Sequence, residues 1–241
     1  MPQFSDDLFL GPAIGPQASN QGAGNPSVPD RGVGPLGRVY VFDVVPATLS
    51  ATAVCAVQAS TGANNPLTIN GASASGGVAT LDVCRALSMI GTNAGDTTQT
   101  VTVTGTDFYG RTQTEARTLN GTTIVNFLKA FKTVTGVRVS ATLAGNISVG
   151  SRDAIGLPYR VTNAAYIAHV GWNSALARDA GTFVAAVTTD PNTSALGDVR
   201  GTYLPSSAAD GSKRLVMVLA LPALAVGPNA TTVGAIGVTP A

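Results

Sequence analysis

From Thr98 to Thr106 threonine and valine take turns along the chain. In an extended backbone Val101 and Val103 then point to one side, and Thr100, Thr102 and Thr104 to the other. The same period-two pattern returns from Thr112 to Leu119. Between the two runs, Asp107 to Gly110 reads as a turn, because Gly110 accepts positive φ and the Asp107 side chain caps its own backbone. Asn120-Gly121 suits the central pair of a two-residue type I′ hairpin, where both residues need φ > 0. Thr133 to Ser140 and Asn146 to Gly150 add two short strands, split by Gly145. Thr98 to Arg160 therefore predicts an antiparallel meander with turn signals about every ten residues, the grammar of an all-β sandwich or barrel. Its threonine-rich face reads as surface or interface.

Either side of this stretch the pattern is more broken. Arg38 to Val45 is rich in β-branched and aromatic residues and predicts a strand ended by Pro46. Leu49 to Ala59 favours strand over helix. For Val78 to Met89, one strand and a strand closing in a helical turn over Arg85–Ile90 both fit, with Gly91 as a stop. Thr123 to Lys132 places Ile124, Phe127, Leu128 and Phe131 at helical offsets, so a short helix and a bulged strand crossing the sheet edge are both open, with strand favoured because Thr122 to Val125 are strand formers. Further strands are predicted over Tyr166–Trp172, with Ile167 and His169 on one face, over Thr182–Thr189, over Val199–Leu204 and over Lys213–Leu221. Asp190-Pro191-Asn192 and Asp210-Gly211 read as turns.

The two ends differ from the middle. Residues 1–37 carry Gly and Pro too often for a helix or a central strand. They also hold Phe4, Leu8, Phe9, Leu10 and Ile14, which a solvated linker would avoid. An extended arm that orders against its own or a neighbouring subunit is the expectation, with those five side chains as interface residues. The chain then divides into the arm (1–37), a β domain (38–226) and a Gly/Pro-punctuated tail (227–241). A split of the β domain near 95 or near 160 stays open. The fold class expected is all-β, an antiparallel sandwich or barrel of jelly-roll or similar type.

Composition narrows the function. Only 11% of the 241 residues are charged and 44% are hydrophobic, against a usual charged share of about 25%. A chain so poor in charge stays dispersed if much of its surface is covered by partners. The formal net charge of +1 gives no electrostatic case for nucleic acid or for an anionic membrane. No membrane span is expected, since the apolar run Leu215–Val226 is broken by Pro222 and is too short. Met1 to Asp7 lacks the basic start of a signal peptide.

Candidate chemistry is sparse. His169 is the only histidine, lies in a strand-like run, and no Gly-x-Ser-x-Gly motif accompanies it. Cys55 and Cys84 read as two buried hydrophobes. With one histidine and two distant cysteines, an ordinary zinc site is excluded. The acids at Asp96, Asp107, Asp153, Asp190, Asp198 and Asp210 are assigned to turns. No phosphate-binding glycine loop is complete, because Ser27 stands where the third glycine of Gly22-x-Gly24-x-x-Gly belongs. No catalytic residue, cofactor site or metal site is therefore expected. Trp172 reads as a buried aromatic.

Gly105-Thr-Asp-Phe-Tyr-Gly110, Leu119-Asn-Gly-Thr-Thr123, Lys129-Ala-Phe-Lys-Thr-Val134 and Gly156-Leu-Pro-Tyr-Arg160 occur in that order. Arg200-Gly-Thr-Tyr203 and Lys213-Arg-Leu-Val-Met-Val218 follow them. This succession resembles a recurring pattern in structural proteins of tailed bacteriophages, and covers roughly Thr98 to Ala241. The resemblance implies a non-enzymatic virion protein, first of all a capsid cement or decoration protein on the outer head shell. A tail or fibre component that binds a host glycan is the alternative. Its partners would be further copies of itself, as a dimer or trimer, and the major capsid protein, with neither nucleic acid nor membrane. Its location would be the virion, assembled in the host cytoplasm.

Overall fold

The computed structural model describes residues 38–187 and 196–221. The expectations for the arm, for the turn at Asp190-Pro191-Asn192 and for the 227–241 tail lie outside these residues. What is described is almost wholly β, with every strand pairing antiparallel. In chain order the strands are β1 (Arg38–Val44), β2 (Cys55–Ala59), β3 (Asn65–Pro66), β4 (Ala74–Ser75), β5 (Val78–Gly91), β6 (Thr100–Thr106) and β7 (Thr112–Thr118). Then come β8 (Val125–Val139), β9 (Asn146–Gly156), β10 (Ile167–Trp172), β11 (Thr182–Val184), β12 (Thr202–Leu204) and β13 (Leu215–Leu221). A single 3-10 turn, Ala164–Tyr166, precedes β10, its first amides capped by the Asn163 side chain.

The large sheet runs β11-β12-β9-β5-β8-β6-β7 and curls into a half-barrel. β2 adds to β9, β3 to β8 and β4 to β5. A second sheet has the order β1-β13-β10, so the first and last strands of the described chain lie side by side, Arg38 opposite Leu221.

The order corrects the expected meander. β6 and β7 do form a hairpin in unbroken register from Thr100↔Thr118 to Thr106↔Thr112. Asp107 caps it as expected, its Oδ1 accepting from the Tyr109 and Arg111 amides at 2.8 and 2.9 Å. The next strand does not extend that hairpin. β8 enters between β5 and β6. At 15 residues it is too long to be matched by seven-residue β7, and it spans both neighbours. Residues 125–139 form this one strand where a short crossing piece and a separate strand were expected.

The turn at Asn120 differs for the same reason. Thr123 N donates to Asn120 O, which makes Gly121 and Thr122 the central pair. Gly121 has φ +57° and Asn120 does not share the left-handed region, so glycine takes the first central position, as in a type II′ turn. The turn is bonded to the β5–β6 connection, Gly121 N to Asp96 O and Gly91 N to Gly121 O. A Cβ on Gly121 would sit 2.7 Å from Ala94 O.

Of the two readings open for Val78 to Met89, the single strand holds: Arg85–Ile90 is part of β5, with no helical turn. Two more expectations change. Residues 49–54 lie outside any strand, with turn and bend over 51–54, and β2 begins only at Cys55. A bulge between Ile167 and His169 re-aims β10, so Ile167 and Val170 are buried together while His169 is only half-buried. One residue inserted into a strand switches the face of everything after it.

Two apolar clusters hold the sheets. The larger lies inside the half-barrel and contains Leu81, Leu87, Met89, Val101, Val103, Phe127, Phe131, Val134 and Val149. The smaller lies between the large sheet and the β1-β13-β10 sheet, around Phe42, Ile155, Leu157, Val170, Tyr203 and Met217. Cys55 and Cys84 are free and buried, as expected. β9 serves both clusters, giving Ile147 and Val149 to the first and Ile155 to the second.

Candidate interaction surface and the buried polar seam behind it

The outer face of β6, β7 and β8 is a lattice of hydroxyls. Thr100, Thr102, Thr104 and Thr106 of β6 stand beside Thr118, Ala116, Thr114 and Thr112 of β7. On the other flank they meet Arg138, Gly136 and Thr133 of β8. The β6 threonines are half-buried by one another, whereas Val101, Val103 and Gly105 behind them are fully buried. Thr106 Oγ1 and Thr133 Oγ1 are 2.6 Å apart, and Thr104 Oγ1 and Thr114 Oγ1 3.4 Å. Cross-strand hydroxyl pairs of this kind stabilise the ladder. Within this patch only Arg138 carries a charge.

Behind the lattice the interior turns polar. β8 continues past the end of β6, whose last ladder pair is Thr106↔Thr133. The edge of β8 left over, Leu128 to Ala130, is closed by side chains instead of a strand. The Glu115 carboxylate accepts from the Leu128 and Lys129 amides at 2.8–3.0 Å. Asp198 Oδ2 accepts from Ala130 N at 2.9 Å, and Gln113 Nε2 donates to Ala130 O at 2.6 Å. Gln113 and Glu115 sit on β7 and reach β8 past the end of β6, near the register shift at Gly105. There a Cβ would lie 2.0 Å from Thr133 O.

Arg200 anchors this seam. Its guanidinium pairs with Asp107 at 2.8 Å and lies 5.2 Å from the centre of the Tyr109 ring. Its own amide and that of Gly201 donate to Asp198 Oδ1. Burial pushes the Asp198 carboxyl up, and Arg200 pulls it back. Burial opposes the Arg200 charge, but Asp198 and Asp107 outweigh it and hold the guanidinium above its ordinary value. Burial raises the Cys84 thiol far above the range of a nucleophile, and Cys84 Sγ donates to Ala130 O. Cys55 is raised to about 12 by burial alone.

A second buried cation, Arg85, works on the opposite side of the seam. It donates to Ala47 O at 3.1 and 3.2 Å and to Asp82 Oδ2 at 3.0 Å. Asp82 also accepts from Ala47 N. The pair thereby clamps the connection from β1 to the large sheet. Asp153 Oδ1 stands 4.0 Å from Arg85 Nη1, while its other oxygen accepts from Ala209 N. Asp153 belongs to β9 and not to a turn, contrary to expectation. Asp179 is saturated by Gly181 N, Ser206 N, the Ser206 hydroxyl and the Tyr203 hydroxyl. Burial opposes its charge, and these bonds overcome it and hold the carboxyl below its ordinary value.

Chemistry-bearing residues are thus spent on internal structure. His169 Nε2 donates to Ala175 O at 3.1 Å. Among the described residues no group of three or more His, Cys, Asp or Glu side chains is placed to hold a metal ion, and no helix is long and apolar enough to cross a membrane. Trp172 is half-buried and not fully buried, with Lys213 Nζ 5.8 Å from its ring centre. Phe4, Leu8, Phe9, Leu10 and Ile14 lie outside the described residues. The buried ions Arg85, Glu115, Lys129, Asp198 and Arg200 were not foreseen. The signal available for Arg85 was its place amid Val83, Cys84, Ala86 and Leu87, a charge inside an apolar strand. Comparison with protein-family models, with curated proteins and with solved structures finds no match.

Proposed function

We propose that this chain is a non-enzymatic structural subunit of a tailed-bacteriophage particle, a cement or decoration protein that packs on the outer head shell and on copies of itself. The observation that carries this reading is the contrast between ion pairs buried beside the core and an exterior face of threonines with one arginine. Catalytic sites expose ionisable groups in a cleft. Here Arg85, Glu115, Asp198 and Arg200 are buried and bonded within the fold. The hydroxyl face desolvates at reduced cost where Thr104 pairs with Thr114 and Thr106 with Thr133. The resemblance of the motif order to phage structural proteins is in keeping with this reading. The apolar arm supplies the means of attachment.

The test is binding of the full-length protein to purified heads that lack it. Saturation at hundreds of copies per particle, with raised resistance of the heads to heat, is the expected result. Binding at tens of copies or fewer, located on the tail, would move the protein to the tail or fibre alternative. No binding to any part of the particle would reject the reading.

A further inference from the structure

A strand at the rim of a sheet leaves half of its backbone groups in need of another partner. Most rims of this fold supply one. β10 is met by the loop that follows it, with Ala175 N on Trp172 O and Asp179 N on Val170 O. β7 is met by the Lys129 ammonium on Thr114 O, and β2 by the Asn70 side chain on Ala56 N. β11 has only three residues. β1 is different. It runs for seven residues in unbroken register with β13 and has no second strand partner among the described residues.

The ladder shows which of its groups are left over. Asn173 N donates to Arg214 O and Arg214 N to Asn173 Oδ1, so Arg214 turns its backbone toward β10. That direction alternates along a strand. Val216, Val218 and Ala220 therefore also face β10, while Leu215, Met217 and Leu219 face β1 and bond Val44, Phe42 and Tyr40 opposite them. Val39, Val41 and Asp43 are left aiming N–H and C=O away from the sheet, and no described residue bonds those groups. Natural rims are blunted by proline, lysine or a bulge. β1 has none of these, and its one acid, Asp43, is already bonded to Arg214.

We infer that β1 is the docking edge for β1 of a second copy, paired antiparallel about a two-fold axis through Val41. The edge is its own complement. Val41 stands opposite Val41 and Val39 opposite Asp43, so each outward N–H meets an outward C=O. Tyr40 of each copy falls opposite Phe42 of the other. Both rings belong to the inner apolar side, where Tyr40 also lies 4.0 Å from the Tyr159 ring centre, so the inner sides of the two copies run together. Composition selects a second copy over the chain's own ends. In 11–37 and in 222–241 no run of more than five residues is free of Gly and Pro, which is too short to line β1. Residues 3–10 are long enough, but successive side chains of a strand face opposite ways, so Asp6 or Asp7 would enter the apolar side. A second β1 arrives already extended. This contact rests on the self-association within the proposed function and names its surface, without needing the phage head.

Oxidation of full-length Val41→Cys decides it. At the axis the two Cα atoms would be ~5.5 Å apart, within disulfide reach, and native Cys55 and Cys84 are buried. A covalent dimer linked through position 41, identified by peptide mass, is the expected result. Val216→Cys is the control, on the same outer face but on the middle strand, where two copies paired by β1 hold the thiols too far apart. No link at position 41, or one formed as readily at position 216, overturns the inference, the first by leaving the edge to the chain's own ends and the second by making the contact face to face. Independently, Val41→Lys sets two ammonium groups side by side at the axis and is expected to weaken self-association about tenfold or more, with the circular dichroism unchanged. Unchanged association would also overturn the inference; if this variant unfolds, the cysteine pair alone decides. Because these assays use isolated protein, failure of particle binding leaves their result standing, and the reverse holds.

Discussion

The inside of the half-barrel and the seam beside it are both buried, and they are stabilised by different physics. Around Leu87, Met89, Val101, Val103 and Phe127 the contacts are apolar and non-directional, so stability there follows shape and volume. Around Arg200, Asp198, Asp107 and Glu115 each group is committed to a named partner. Arg85 Nε and Arg200 Nε find no hydrogen-bond acceptor in the structure, so the seam forgoes part of what desolvation costs it. A buried ion pair is a weak source of net stability, yet removing one partner is severe. The seam's contribution is therefore to specify geometry. It forces β7 to curl back over the free edge of β8, which an apolar filling of equal volume would leave undirected.

The sharpest break of this contrast is Arg200→Met. It leaves Asp107 and Asp198 buried without their cation and is expected to cost about 3–5 kcal/mol. Adding Asp107→Asn should return part of that loss, measured by urea unfolding; a double variant no better than the single would show that charge is not the issue. In the apolar region Leu87→Ala is expected to cost ~3 kcal/mol as transfer plus cavity, and no second substitution that alters charge should rescue it. Next comes Gly121→Val at the rim of the same region. The left-handed backbone alone costs ~1–3 kcal/mol, and contact with Ala94 O adds to it. An unchanged melting temperature would show that the 119–124 turn is free to rearrange.

The smallest effects separate the two environments by the sign of their pH dependence. Burial holds the Glu115 carboxyl above its ordinary value, against the pull of the Lys129 and Leu128 amides. A folded value above the unfolded one favours folding at low pH, and that share of stability is lost as pH rises through the folded value. Exposed Asp210 is the opposite: the Lys213 and Ser212 amides lower it to about 2. Its share is present above the ordinary carboxylate value and is lost as pH falls from there toward 2. Glu115→Gln and Asp210→Asn should therefore change the slope of melting temperature against pH in opposite directions. Slopes of the same sign would mean that Glu115 is not desolvated as described.

Strand identity was legible wherever one face is wet. β6 and β7 show their alternation because Thr102 and Thr104 meet solvent while Val101 and Val103 do not. The cap at Asp107 was legible because it acts within four residues of itself. Partner choice was not. Nothing in the residues of β8 says that it inserts between β5 and β6, since both of its faces and both of its edges are used over different parts of its length. The seam was hidden for a related reason. Asp107 and Asp198 look like any turn acids until Arg200, distant from Asp107 in sequence, is brought to them by the curl. The face of His169 was misjudged because a bulge is a single-residue event with no period of its own.

The neighbourhood of Arg38 and Leu221 also sets an order of events in time. β13 is the middle strand of its sheet, flanked by the first strand described and by β10. On a growing chain β1 is made early and waits, because β13, its one strand partner among the described residues, emerges from the ribosome some 170 residues later. The half-barrel is complete in sequence by Gly156 except for the β11–β12 edge, and contacts close in sequence form faster than distant ones. The small sheet must therefore close after the half-barrel, and until it does the apolar side of β1 stays open to whatever else is nearby.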